Sequence, residues 1–160
     1  MPSWYQGKIR YQQQDQTGKT KTINETYLID AVSYTDAEAR LYKEVAANTP
    51  DFTVTNISRM KLADLFHFDE GGETWYKCKV VYVTEDEKGR EKRIVNMMLV
   101  NAENVKQAYD RIAESLKTML IPFDTTDVNT TKILDIFPYT EEETLPPNLR
   151  PLHEAVTEES

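Results

Sequence analysis

The sequence contains the same unit of about seventy residues twice. Residues 4–66 and 75–137 align at a constant offset of 71 without a gap, and 17 of the 63 aligned positions are identical. The identities run from a tryptophan near the start of each unit to a phenylalanine at its end. A unit of this size buries too little surface to be comfortably stable alone. We therefore expect the two copies to share one core.

Each unit is predicted to open with a β-hairpin. Alternating apolar side chains, the pattern of a half-buried strand, occupy residues 4–12 and 75–83. A polar turn containing glycine follows in both copies, and a second strand is expected near residues 21–31 and 92–102. Because the pattern occurs twice, each prediction is supported by its counterpart in the other unit.

A helix is predicted after each hairpin. Residues 35–38 (TDAE) have the pattern of a capping box with Thr35 as the N-cap. Residues 104–107 (NVKQ) have the corresponding pattern, with Asn104 as the N-cap and Gln107 three residues later. The apolar residues that follow have helical spacing and predict one buried stripe per helix. These positions are 34, 37, 41 and 45 in the first unit, and 105, 108, 112 and 116 in the second.

A third strand and a short closing segment complete each unit. The strand is expected to begin at Phe52 or Phe123, and the closing segments KLADLF and KILDIF are expected to form short helical turns. The order ββαβ, repeated, predicts an α+β fold with a tandem duplication. We expect one antiparallel sheet of about six strands, two helices on one face and an approximate internal two-fold axis.

The predicted domain covers residues 1–139, with residues 67–74 as the linker between the units. Gly71 and Gly72 in this linker are the natural place for the chain to bend. Residues 140–160 contain one basic and six acidic residues, so they contribute −5 to the net charge of −8. This proline-containing segment is expected to be a solvated acidic tail, and the simplest role for it is to increase solubility.

Composition limits the cellular setting. No apolar run is long enough to span a membrane, so a membrane partner is not expected. The N-terminus lacks the pattern of a signal peptide, and a single cysteine cannot form an internal disulfide. A cytoplasmic location follows as the expectation, and assembly into a homo-oligomer is left open.

Four segments together suggest a family. SWYQGKIRY, YLIDAVSYTDAEAR, FTVTNISRMKLADLF and WYKCKVVYVTEDEKGREK resemble the family catalogued as domain of unknown function 4494, over nearly the whole chain apart from the tail. The resemblance implies a small protein of gut Bacteroides-type bacteria or their phages, which would act in the host cytoplasm if phage-encoded. It implies no known activity, so no functional residue is carried over from it.

Residues for catalysis or metal binding do not form a recognisable set. Cys78, His67 and His153 have spacings that match no known metal cluster, and no phosphate-binding glycine motif is present. Cys78 is expected to be a buried structural thiol, because it lies on the predicted core face of its strand. The paired carboxylates at 15 and 86 are expected in polar turns, and those at 64 and 135 on a solvated surface. We therefore predict no enzyme, no cofactor and no metal.

The paired positions also indicate where a ligand would bind, because a groove on a two-fold axis should use the same residues of both copies. Most paired charges are positive, and a tryptophan shares the non-core face of each first strand with a lysine. An aromatic side chain beside cations is the combination that binds single-stranded nucleic acid. The candidate residues for binding nucleic acid or another partner are Trp4, Lys8, Arg10, Lys21, Trp75, Lys77, Lys79 and Lys92.

Two functions stay open at this point. The first is a non-enzymatic, single-stranded nucleic-acid-binding accessory protein of a phage or mobile element. The second is a protein-interaction module, such as a virion component, a host-directed inhibitor or an assembly subunit, which the acidic net charge and the aromatic residues favour. An open sheet face that carries Trp, Tyr and Met would then bind the partner. The structural alternative for both tryptophans is that they pack beneath the tail or against the short segment that closes each unit.

Overall fold

In a computed structural model of the chain, which describes residues 3–49 and 51–138, both halves have the same order of elements. The first half contains β1 (Ser3–Gln14), β2 (Thr20–Ala31), α1 (Tyr34–Ala46), β3 (Thr53–Arg59) and β4 (Asp64–Phe66). The second contains β5 (Thr74–Glu85), β6 (Glu91–Ala102), α2 (Val105–Ser115), β7 (Phe123–Thr130) and β8 (Ile133–Phe137). The chain is an α+β protein, as predicted. The predicted acidic tail, residues 140–160, lies outside the described residues.

The two hairpins are closed by aspartates at equivalent positions. In the turn between β1 and β2, the Asp15 carboxylate accepts hydrogen bonds from the backbone amides of Thr17 and Lys19, both at 2.9 Å. The Thr17 hydroxyl, together with the backbone donors, lowers the pKa of Asp15. Asp86 accepts from the amides two and four residues further along the chain, also at 2.9 Å. The prediction that both aspartates belong to polar turns is confirmed.

The predicted capping box of α2 is in the right place, but that of α1 is two residues too late. The Asn104 side chain accepts a hydrogen bond from the Gln107 amide at 2.8 Å. In α1 the N-cap is Ser33 and not Thr35, and its hydroxyl accepts from the Asp36 amide at 3.0 Å. Both Ser33 and Thr35 can cap a helix, so the local pattern alone was ambiguous.

The strands form two four-stranded sheets, and the prediction of one sheet of about six strands is wrong. The strand order is β3-β1-β2-β8 in the first sheet and β4-β6-β5-β7 in the second. Each half thus builds three strands of its own sheet and contributes its last strand to the other sheet. The chain crosses between the sheets at residues 60–63 and again at residues 131–132.

The closing segments of the two units are therefore strands, and the prediction of helical turns is wrong. β4 pairs parallel to β6, with Leu65 opposite Leu99, and β8 pairs parallel to β2, with Ile136 opposite Leu28. A helix of one turn is only marginally stable, because its nucleation is costly. Pairing with a strand instead satisfies the backbone groups of the segment and those of the edge that it covers.

The elements stack in four layers, helix, sheet, sheet and helix. α1 packs on one face of the first sheet and α2 on one face of the second, so the two helices do not share a face as predicted. A third core lies between the two sheets and contains residues of both halves. Its buried residues are Leu28, Trp75, Leu99 and Ile133.

Candidate binding cleft between the two sheets

A cleft of about 920 Å³ lies where the first residues of β1 and β5 approach β4, β8 and the linker between the halves. Residues that are 71 positions apart line it in pairs. These pairs are Trp4 with Trp75, Ala63 with Leu134, Asp64 with Asp135, Leu65 with Ile136, and His67 with Pro138, of which the first four lie within the aligned units. The cleft thus uses the same positions of both halves, which is the property expected of a ligand site on an internal two-fold axis.

The two tryptophans belong to the core between the sheets and also line the cleft. Trp75 is only 6% exposed, and Trp4 is half-buried and packs against the same core. Of the two alternatives for the tryptophans, exposure on an open sheet face is therefore wrong for Trp75. Both indoles pack against the segments that close the units, which are the strands β4 and β8. Packing against these segments was the structural alternative in the sequence analysis. The His67 ring stacks on the Trp75 ring with 5.9 Å between their centroids.

The charged residues that line the cleft are mostly acidic. Asp64 and Asp135 each use one carboxylate oxygen to accept the amide hydrogen of the next residue, at 2.9 and 2.8 Å. Asp69 and Glu73 add two further carboxylates, and Oδ1 of Asp69 lies 3.5 Å from Nδ1 of His67. No lysine or arginine within residues 3–49 and 51–138 lines this cleft. Its lining therefore favours a positively charged ligand.

One wall of the cleft is the linker, and the buried side chain of Asn101 holds it in place. Oδ1 of Asn101 accepts a hydrogen bond from the Phe68 amide at 2.7 Å. Its Nδ2 donates to the carbonyl oxygens of Phe68 at 2.7 Å and of Gly72 at 3.0 Å. These bonds satisfy the side-chain amide, so Asn101 shapes the cleft as a structural residue.

Two arginines at equivalent positions hold the chain where it leaves each exchanged strand. Arg111 of α2 donates to the carbonyl oxygens of Asn101 at 2.6 Å and of Glu70, and its guanidinium lies 4.5 Å from the Phe68 ring centroid. Arg40 of α1 donates to the Pro138 carbonyl oxygen at 2.8 Å. Each helix therefore anchors the segment that follows the strand donated by the other half.

The predicted cations do not join the tryptophans in one site. Lys8 and Arg10 are exposed on the face of β1 away from α1, and Lys77 and Lys79 are half-buried on the corresponding face of β5. Lys79 pairs with Asp127, its Nζ lying 4.0 Å from Oδ1 of the carboxylate. Lys21 and Lys92 are exposed on the opposite, helix-bearing faces, because paired strand residues share a face.

Sequence reasoning did not assign the paired aspartates to a site. Asp64 and Asp135 were expected on the solvated side of short helical turns. They are exposed, as expected, but they lie on the strands β4 and β8 and line the cleft. His67 was likewise not predicted to lie near a tryptophan. The signal that would have found the aspartates is the duplication itself, because they are identical in both units in the same way as Trp4 and Trp75.

Metal and thiol chemistry find no support in the described part of the chain. Within it, no group of three or more histidine, cysteine, aspartate or glutamate side chains is arranged to hold a metal ion. Cys78 is fully buried, as predicted, and burial raises its pKa to about 11. A thiol of this kind is almost entirely protonated at neutral pH and is a poor nucleophile. None of the helices described here is both long and apolar enough to cross a membrane.

These features define an α+β protein with two packed four-stranded sheets and a paired, acidic cleft between them. The sequence matches the family described as Domain of unknown function (DUF4494) over residues 3–139. The chain belongs to this family. No curated protein matches the sequence.

Proposed function

We propose that this is a non-enzymatic binding protein, and that it is a protein-interaction module whose partner inserts into the cleft between the two sheets. The observation that carries the proposal is the paired lining, since both tryptophans and both aspartates of equivalent positions meet in one cavity. Binding sites are concave and mostly apolar, with a few polar groups that select the ligand. Tryptophan is among the residues that contribute most to protein–protein binding.

A protein partner fits this cleft better than nucleic acid does. The phosphate backbone would approach Asp64, Asp69, Glu73 and Asp135, and like charges at close range oppose binding. The exposed cations Lys8 and Arg10 are not among the residues that line the cleft, so aromatic and cationic side chains do not form one surface there. Nucleic-acid binding stays a prediction that the same experiment tests.

The proposal includes the compartment in which the protein would act. A single cysteine, buried against α2, suits a reducing cytoplasm, where structural disulfides are rare. We place the protein there, as a component encoded by a bacterium, a phage or a mobile element.

Site-specific photo-crosslinking in the native cells tests the partner and the site together. A photoreactive amino acid replaces Leu134, which lines the cleft and is 55% exposed, and in a matched control it replaces Val105 on α2, which is 52% exposed. We expect a discrete protein adduct from position 134 and none from position 105. The adduct should be lost when Asp64→Asn and Asp135→Asn are added, because these changes remove charge and keep an oxygen that can accept the local hydrogen bond.

Three results would contradict the proposal. They are a nuclease-sensitive adduct, equal adducts from both positions, and no adduct from position 134. The first of these would support nucleic-acid binding instead.

A further inference from the structure

We propose that the group bound in the cleft is an arginine side chain of the protein partner. This inference rests on the proposed function and adds the chemistry that the partner must present. The cavity offers an indole surface, and the carboxylates of its lining favour a cationic ligand.

The indole of Trp4 provides a surface for a planar cation, whereas Trp75 is only 6% exposed and is covered in part by the His67 ring. Trp4 is half-buried and lines the cleft, so part of its ring is accessible from the cavity. A guanidinium group packs on an aromatic face because the ring quadrupole attracts the cation and because both groups are flat. The protein contains such a contact beside the cleft, where the guanidinium of Arg111, which does not line the cleft, lies 4.5 Å from the centroid of the lining residue Phe68.

The charge of the lining favours a cation over an anion or a neutral group. Four carboxylates line the cleft, and among the described residues the side chain of His67 is the sole lining group that can become positive. All four carboxylates are exposed, so salt screens each of them, and the attraction for a ligand cation comes from their combined field. Guanidinium presents two parallel N–H groups to a carboxylate, which lysine cannot do. Arginine therefore fits better than lysine.

The size of the cavity indicates that the arginine belongs to a peptide segment. A volume of about 920 Å³ is near the upper end of ordinary ligand pockets and exceeds what one side chain fills. The apolar side chains of Leu65, Leu134 and Ile136 also line the cleft and are available to the residues that flank the arginine. The partner segment is thus expected to carry apolar residues beside one arginine.

Intrinsic fluorescence gives a direct readout, because the chain has two tryptophans and both line the cleft. The full-length protein is titrated with the peptide acetyl-Leu-Arg-Leu-amide and with the same peptide carrying citrulline, which is uncharged and nearly isosteric with arginine. We expect a saturable change in fluorescence with the arginine peptide, and a dissociation constant at least about tenfold larger with citrulline. Lysine in place of arginine should give an intermediate value.

Variants of the protein connect the effect to the cleft. Asp64→Asn with Asp135→Asn should weaken binding of the arginine peptide about tenfold and leave binding of the citrulline peptide unchanged. The matched control is Glu87→Gln with Asp124→Asn, which removes the same charge from exposed positions outside the cleft. It should bind both peptides as the wild type does.

Equal affinity for the arginine and citrulline peptides would overturn the inference, and so would the absence of any response to the arginine peptide up to about 10 mM. Either result would leave the proposed function standing if position 134 still crosslinks to a protein. A failure of that crosslink contradicts the proposed function whatever the peptides do, so the two failures are distinguishable.

Discussion

At the scale of single residues, Gly72 is the position where the backbone leaves least room. Its φ of 115° is in the region that favours glycine, and an added Cβ would lie 2.1 Å from the carbonyl carbon of Ala102. The sequence identified Gly71 and Gly72 as a bend, but it did not indicate that the bend packs against the end of β6. Because of that contact, the linker lies where it forms one wall of the cleft.

Gly72→Ala should destabilise the protein by at least about 3 kcal/mol, because it combines an unfavourable φ with a backbone collision. Gly89→Ala is the matched control, since Gly89 also has a positive φ of 77° but no atom within 4 Å of the added Cβ. It should cost only about 1 kcal/mol. Urea denaturation followed by circular dichroism measures both, and equal losses would show that packing at Gly72 is unimportant.

Trp75 shows why burial could not be predicted from one strand alone. Alternation correctly placed it on the face of β5 away from α2, but the strand pattern does not indicate what covers that face. The first sheet covers it, and that sheet is completed by β8 from the second half of the chain. Cys78 was easier, because the helix that buries it follows within its own unit.

At the scale of elements, the helix starts show how the duplication could have been used further. Ser33, the observed N-cap of α1, lies 71 positions before Asn104, the N-cap of α2. Thr35 lies 69 positions before Asn104, so it does not align with that residue. The closing strands were harder to predict. β4 has three residues, and its pairing partner β6 lies in the other unit, so no local periodicity marks it as a strand.

Ser33→Ala should reduce the free energy of unfolding by about 1 kcal/mol, because the Asp36 amide loses its side-chain acceptor. Thr35→Ala, two residues further on and exposed, should change it by less than about 0.5 kcal/mol. Chemical denaturation of the two variants beside the wild type checks this. A larger loss from Thr35→Ala would mean that the helix begins in solution where the local capping pattern suggested.

At the scale of the whole molecule, the reciprocal exchange of β4 and β8 joins the halves. Each sheet contains three strands from one half and one from the other, and the core between the sheets draws on both. The α+β class was predictable, since hairpins and helices follow from local patterns. The division into two sheets was not, because it depends on which edge each closing strand selects.

We expect the two halves to unfold in one cooperative transition. Trp4→Phe leaves the tryptophan of the second half as the fluorescent probe, and Trp75→Phe leaves that of the first. In each variant the urea midpoint from fluorescence should coincide with that from circular dichroism, because neither sheet is complete without the other half. A fluorescence midpoint that differs from the circular dichroism midpoint in either variant would show that the halves unfold separately.

The exchange also has a consequence for synthesis on the ribosome. The outer edge of β2 is made early, but the strand that covers it ends at Phe137, so the nascent chain carries an open edge until about residue 137 has left the exit tunnel. Open edges attract other extended chains. A message that ends prematurely just before β8 would therefore release a product whose defect lies in its first sheet, more than a hundred residues from the missing end.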